Sequence, residues 1–122
     1  MKLYLAGRFV LRGELEAYAN RLKEDGHEIV SSWVYGGENG MELPQIAELD
    51  FADIDRADTL VHFTAPEGSA TPGGGRHVEM GYALGKGKNV LIVGERENVF
   101  CWHPSVKRTY SFEALRERIR GK

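Results

Sequence analysis

A glycine run followed by a carboxylate is the part of this sequence that most directly suggests chemistry. Residues 73–75 are glycines, Arg76 and His77 follow, and Glu79 comes two residues later. The pattern after the glycines is helix-like and predicts that Glu79 lies in the first turn of a helix. Because free backbone N–H groups at a helix start stabilise an anion, we expect Glu79 to stay ionised, which suits a carboxylate nucleophile. An acidic residue that only complements the helix dipole fits the same position.

Two further polar residues are candidates for the same site. Tyr4 lies near the end of a predicted first strand, and Asp50 lies on a predicted helix before the third strand. Two carboxylates beside one pocket suit glycosyl transfer, in which one attacks the anomeric carbon and the other handles the proton of the leaving group. Tyr4 is also consistent with an aromatic packed in the core. Asp50 is also consistent with a solvated helix charge, since other acidic residues surround it.

Strands and helices alternate along the chain and have to position these residues. Such alternation predicts an α/β fold: a doubly wound, three-layer sandwich, flavodoxin-like or Rossmann-like, with a mostly parallel five-stranded sheet. Ligands of such folds bind beyond the carboxyl ends of the strands. Apolar patterning predicts strands at residues 2–6, 27–33, 59–63, 89–93 and 107–110, and helices at 11–24, 43–56 and 112–120.

Length and composition limit the class of protein. The chain has 122 residues, which fits a single domain over residues 1–122 with one hydrophobic core. A hydrophobic content of 42% and a formal net charge of −2 argue against disorder and against a nucleic-acid or anionic membrane surface. The one cysteine, Cys101, excludes an internal disulfide and indicates a reducing, cytoplasmic location.

Several common catalytic motifs do not occur in the sequence. One cysteine cannot supply the ligand pair of the zinc deaminases, and the four histidines lack metal-ligand spacing, so we predict no metal site. There is no Gly-x-Ser-x-Gly elbow, which a serine hydrolase of the α/β type would carry. Neither a Gly-x-Gly-x-x-Gly motif nor a Walker loop is present, which argues against dinucleotide binding and against a P-loop enzyme.

Three short motifs occur in order along the chain. They are Leu-Tyr-Leu-Ala-Gly at residues 3–7, Asp50 shortly before Ala-Asp at 57–58, and Glu-Met-Gly-Tyr-Ala at 79–83. Together they resemble the nucleoside 2-deoxyribosyltransferase family and its relatives, the 2′-deoxynucleoside 5′-monophosphate N-glycosidases. The resemblance spans most of the chain, to about Val93.

The resemblance implies a role for each of the three candidates. Glu79 would be the nucleophile that forms a deoxyribosyl-enzyme ester, Asp50 would handle the proton on the base, and Tyr4 would orient Glu79. It further implies that the protein uses no metal or redox cofactor. Its partners would be small molecules, a nucleoside or nucleotide and a nucleobase.

The sequence departs from the family where the sugar and phosphate bind. The transferases usually carry an Asp six residues before the nucleophile and the hydrolases tend to carry a Ser, whereas this chain has Gly73. The glycine-rich phosphate loop of the hydrolases is replaced by a segment containing Gly7, Arg8 and Phe9, which we expect to bind substrate.

Basic residues offer another route to a 5′-phosphate. Arg8, Arg12, Arg76 and His77 could grip the phosphate, with the amides from Gly73 to Gly75 as a concave nest of donors. Surface solubility is the competing explanation for these charges. The requirement for a phosphate therefore stays open at this point.

The resemblance also implies an oligomer. In the transferases a neighbouring subunit completes the site with an Asn, for which Asn98 is the counterpart in this chain. The chain is shorter than typical family members, so we expect a homo-oligomer whose site is completed by a second subunit.

The leading hypothesis is transfer of a deoxyribosyl group from a 2′-deoxynucleoside to another nucleobase through a covalent glutamyl intermediate. One alternative is an N-glycosidase that hydrolyses a (deoxy)nucleoside 5′-monophosphate. The other alternative is a non-catalytic module that binds a nucleotide in the same pocket.

Overall fold

Five parallel strands form the sheet of this protein, in the spatial order β2-β1-β3-β4-β5. The computed structural model describes residues 1–65 and 74–122. Each strand pairs in parallel with its neighbours; Leu3, for example, lies opposite Thr59. The predicted α/β fold with a parallel five-stranded sheet is therefore confirmed. The strands are β1 (Lys2–Ala6), β2 (Glu28–Ile29), β3 (Thr59–Phe63), β4 (Asn89–Val93) and β5 (Val106–Thr109).

Within these described residues, four α-helices cover the two faces of the sheet. Tyr18 stacks on Phe112, which joins the first and last helices, and Phe51 stacks on Tyr82, which joins the two middle ones. The side chains of β3 are buried throughout, as expected for a central parallel strand covered on both faces. The helices are α1 (Arg12–Glu24), α2 (Leu43–Arg56), α3 (Gly75–Gly85) and α4 (Phe112–Arg118), and short 3₁₀ helices occur at Phe9–Leu11, Ser32–Tyr35 and Val99–Trp102.

The second strand is shorter than the pattern of residues 27–33 predicts. Only Glu28–Ile29 pairs with β1, and the chain turns into the 3₁₀ helix Ser32–Tyr35. Two tertiary hydrogen bonds favour this turn: the Ser32 amide donates to Asp53 at 2.9 Å, and the Trp33 indole donates to the Leu5 carbonyl at 2.8 Å. Long-range partners thus override the local preference of apolar residues for a strand.

The remaining bounds agree closely with the predictions. The strands at 2–6, 59–63 and 89–93 and the helix at 43–56 have their predicted limits, whereas β5 and α4 each differ by one or two residues. Ser111 accepts a hydrogen bond from the Ala114 amide and caps α4, as its residue type predicts. Of the helices in the described part of the chain, none is both long and apolar enough to cross a membrane.

Candidate active site

A cavity of about 320 Å³ opens beside the carboxyl end of β1 and the start of α3. This is the edge of a parallel sheet at which ligands of such folds bind. Three carboxylates and two arginines contribute to its wall, so it combines acid groups with positive charge. The lining residues are Gly7, Arg8, Phe9, Val10, Trp33, Glu38, Asp50, Gly74, Gly75, Arg76 and Glu79.

Glu79 lies in the second turn of α3, not in the first. The helix begins at Gly75, so Glu79 is its fifth residue, and the predicted first-turn position is wrong. Burial raises the pKa of Glu79 to about 8; the hydrogen bond from Tyr4 lowers it, and the charge of Asp50 raises it further. The expectation that the helix start keeps Glu79 ionised is therefore also wrong, because desolvation of the carboxylate outweighs the favourable contacts.

Tyr4 joins the sheet to this helix. The side chain is fully buried on β1, and its hydroxyl donates a hydrogen bond to Glu79 Oε2. Burial, followed by the charges of Glu79 and Asp50, raises the pKa of Tyr4 far above its usual value, so the phenol keeps its proton and remains a donor. Tyr4 is thus a core aromatic whose hydroxyl contacts Glu79, and a role for it in catalysis stays a prediction.

Asp50 reaches the same cavity from α2. Burial raises its pKa to about 8, and a hydrogen bond with Glu38 and the charge of Glu38 add to the shift. Asp50 Oδ1 is buried and has no hydrogen-bond partner within residues 1–65 and 74–122. A solvated helix charge would show neither feature, so the structure favours a site role for this residue.

Glu38 lines the cavity, and the sequence analysis did not name it. It lies in the glycine-rich loop between the 3₁₀ helix Ser32–Tyr35 and α2, and it lines the cavity beside Asp50. The pairing joins residues that are 12 positions apart, so neither strand nor helix periodicity reveals it. The available signal was an acidic residue in a glycine-rich loop, which is the part of an α/β fold where binding residues concentrate.

The predicted substrate-binding residues Gly7, Arg8 and Phe9 line the cavity, as do Gly75 and Arg76, whereas Gly73 lies outside the described residues. A β-carbon at Gly7 would lie 2.8 Å from Leu15 Cδ1, so a larger residue there would force the Leu15 side chain to move.

The three arginines differ in their partners. The Nε atoms of Arg8 and Arg76 are buried and make no hydrogen bond with any described residue. Arg12 lies elsewhere and donates to the Val34 carbonyl at 3.0 Å. Arg8 and Arg76, but not Arg12, therefore line the cavity and have an Nε–H donor without a partner among the described residues.

His77 and Asn98 lie apart from this cavity. The Asn98 amide is 3.3 Å from His77 Nδ1, and both residues line a separate, mainly apolar groove of about 820 Å³. Asn98 also accepts a hydrogen bond from the Phe100 amide and caps the 3₁₀ helix Val99–Trp102. The structure thus brings these two predicted residues together, but not with Glu79.

A group of possible metal ligands occurs near Arg76. Ligand atoms of His62, His77 and Glu97 lie within 4.8 Å of one another, although their positions in the sequence are far apart. Glu97 already accepts from Arg76 at 2.6 Å. Burial alone would raise the pKa of Glu97, but hydrogen bonds from His62 and Arg76 lower it to about 2. The Arg76 guanidinium neutralises the Glu97 carboxylate. We therefore interpret the contact as one that holds the Arg76 side chain in place, and not as part of a metal site.

Comparison with known proteins identifies solved structures that share this fold. No family model and no curated protein sequence matches the chain. Solved structures do match: a CMP N-glycosidase from Clostridium botulinum has 20% identity and a TM-score of 0.62, with 97% of each chain covered. The chain shares its fold. The strand order is the flavodoxin-like one of the two fold types, flavodoxin-like and Rossmann-like, that the sequence analysis left open.

Two further solved structures are 2-deoxyribosyltransferases. The enzyme from Bacillus psychrosaccharolyticus has 19% identity and a TM-score of 0.71, and the match covers 94% of this chain and 90% of that one. The enzyme from Leishmania mexicana has 20% identity and a TM-score of 0.60, with 91% and 75% covered. The resemblance stated from the sequence is therefore confirmed at the level of the fold.

Proposed function

We propose that this protein is an enzyme that cleaves the N-glycosidic bond of a 2′-deoxynucleoside and transfers the deoxyribosyl group to another nucleobase. The observation that carries the proposal is the half-buried Glu79, which accepts a hydrogen bond from Tyr4 and shares its cavity with Asp50. Solved structures with the same fold include 2-deoxyribosyltransferases and a CMP N-glycosidase.

Each carboxyl group has a defined task in this reaction. The Glu79 carboxylate attacks C1′, the C1′–N bond breaks, and the electron pair of that bond leaves with the base, which takes a proton from Asp50. The product is a deoxyribosyl ester of Glu79. A nitrogen of the incoming base then attacks C1′, returns a proton to Asp50 and releases Glu79. The Tyr4 hydroxyl holds the attacking carboxylate in place during both steps.

A base-exchange experiment tests the transfer reaction. The protein is incubated with deoxyadenosine and free cytosine, and the nucleosides are separated by chromatography. We expect deoxycytidine to form, because a bound base competes with water for the ester. Release of adenine with free deoxyribose and no deoxycytidine would contradict transfer and support hydrolysis. Binding of the nucleoside without any release of adenine would support the non-catalytic alternative.

Hydrolysis of a nucleoside 5′-monophosphate is the second candidate function. It is favoured by Arg8 and Arg76, whose buried Nε donors have no partner in the described segments. A phosphate is an acceptor that would satisfy such donors. The incubation above, repeated with deoxyadenosine 5′-monophosphate as donor and with no free base, distinguishes the two. Faster release of adenine from the monophosphate than from the nucleoside would support this candidate.

We also propose that a second copy of the chain covers the groove beside α3. Val78 and Phe100 line it and are 60% and 68% exposed, and Val99 and Trp102, on the same 3₁₀ helix as Phe100, are 72% and 67% exposed. Such exposure is unusual for large apolar side chains. Asn98 lines this groove and not the cavity that contains Glu79, so a second subunit seated on the groove would lie beside it.

Light scattering tests the assembly. We expect a dimer or larger species for the protein and a smaller species for Phe100→Glu, because a charge in the groove opposes its burial. Tyr110→Glu is the control, since Tyr110 is equally exposed outside this groove and its replacement should not change the mass. A monomer at all concentrations would overturn the proposal.

A further inference from the structure

Glu38 and Asp50 form a pair of carboxyl groups in the wall of the cavity. They come from different segments, the loop before α2 and α2 itself, and they lie within hydrogen-bonding reach of each other. Glu38 Oε1 and Asp50 Oδ1 are both buried, and neither has a hydrogen-bond partner in the part of the chain that the structure describes. Buried polar atoms in a cavity normally have a partner, so these two oxygens are available to a ligand.

Asp50 keeps its proton beside Glu38 at neutral pH. Burial, a hydrogen bond with Glu38 and the charge of Glu38 raise its pKa to about 8, so the neutral carboxyl group is the favoured form. The pair therefore presents one O–H donor beside carboxylate acceptors, and it has only one proton to give.

We propose that Glu38 selects nucleobases that carry an exocyclic amino group beside a ring nitrogen, namely cytosine and adenine, over their oxo counterparts uracil and hypoxanthine. This inference rests on the proposed function and makes Glu38 a specificity-determining residue. The amino group donates to the Glu38 carboxylate, and the adjacent ring nitrogen accepts from the Asp50 carboxyl group. The proton on Asp50 passes to the base as the C1′–N bond breaks.

The position of the proton on Asp50 explains the selection. An oxo base places a carbonyl oxygen, which is an acceptor, against the Glu38 carboxylate. Moving the proton onto Glu38 would relieve this repulsion, but Asp50 would then have no proton for the departing base. With the proton on Glu38, the pair binds an oxo base but cannot protonate it as it departs. With the proton on Asp50, the pair can protonate the base but repels its carbonyl oxygen.

Matched substrates test the selection. We expect the wild-type protein to cleave deoxycytidine with a kcat/KM about 10- to 100-fold above that for deoxyuridine, and deoxyadenosine likewise above deoxyinosine. In Glu38→Gln the side-chain amide can donate to a carbonyl oxygen, so the preference should disappear or reverse. Glu48→Gln is the matched control, because Glu48 is exposed on the same helix as Asp50 and the change should leave the ratio intact.

The outcomes separate this inference from the proposed function. Turnover with equal kcat/KM for amino and oxo bases, or an unchanged preference in Glu38→Gln, would overturn the selection and leave the glycosyl transfer standing. No turnover of any nucleoside would overturn the proposed function. It would also remove the basis of the selection, because the selection acts through transfer of the Asp50 proton to the departing base.

Discussion

Replacing Glu79 with glutamine is expected to lower kcat by on the order of 10³-fold or more, because the neutral amide cannot form the ester with C1′. The substitution keeps the size of the side chain and leaves an oxygen that can accept from Tyr4. Circular dichroism and the thermal midpoint should therefore stay close to those of the wild type. Glu14→Gln, at an exposed position on α1, is the control and should keep full activity.

Mass spectrometry separates loss of the nucleophile from a general disturbance of the site. Rapid quenching of the wild-type protein with a deoxynucleoside should give a species heavier by one deoxyribosyl group, mapped to the peptide that contains Glu79. This species should be absent from Glu79→Gln. Near-normal turnover by Glu79→Gln would show that the acid group in the cavity is not the nucleophile.

Replacing Asp50 with asparagine is expected to lower kcat by about 10²- to 10⁴-fold for bases that leave poorly, because the departing base loses its proton donor. The pH profile gives the sharper readout. Activity needs Glu79 without its proton and Asp50 with its proton, and the pKa of each is raised to about 8 by burial. The wild-type profile should therefore rise and then fall around pH 8, with two apparent pKa values that belong to the coupled groups.

One change in this profile should accompany Asp50→Asn. The fall at high pH should disappear, since it reports loss of the Asp50 proton. The rise should stay nearly in place, because Asp50 is protonated and neutral where Glu79 ionises in the active form, and asparagine is neutral as well. A deoxynucleoside with a good leaving base should lose much less rate than a poor one. An unchanged fall at high pH, with equal losses for all bases, would contradict the role of Asp50.

Most elements of the fold could be predicted because their signals are local. The limits of β3, β4 and α2 match the predictions, since each is a strongly apolar or strongly periodic segment. The strand predicted at residues 27–33 fails because hydrogen bonds from Ser32 and Trp33 to distant residues select a turn. Local patterns carry no information about such partners.

The candidate site was predicted in part. Tyr4, Asp50 and Glu79 were identified from motifs, and the fold then brings Asp50 and Glu79 to one cavity, with Tyr4 hydrogen-bonded to Glu79. Glu38 was missed because its contact with Asp50 is made by a loop without a periodic pattern. The support of Arg76 by Glu97 and His62 was missed for the same reason.

The order of residues by itself determined the alternation of strands and helices, and hence a parallel sheet with acidic groups near its carboxyl edge. Only the tertiary structure decided the protonation of those groups. The charge of a carboxyl group depends on the water that surrounding segments exclude and on the neighbours they supply. Burial raises the pKa of Glu79 where the helix start alone predicts an ionised group, and Glu38 adds to the shift of Asp50.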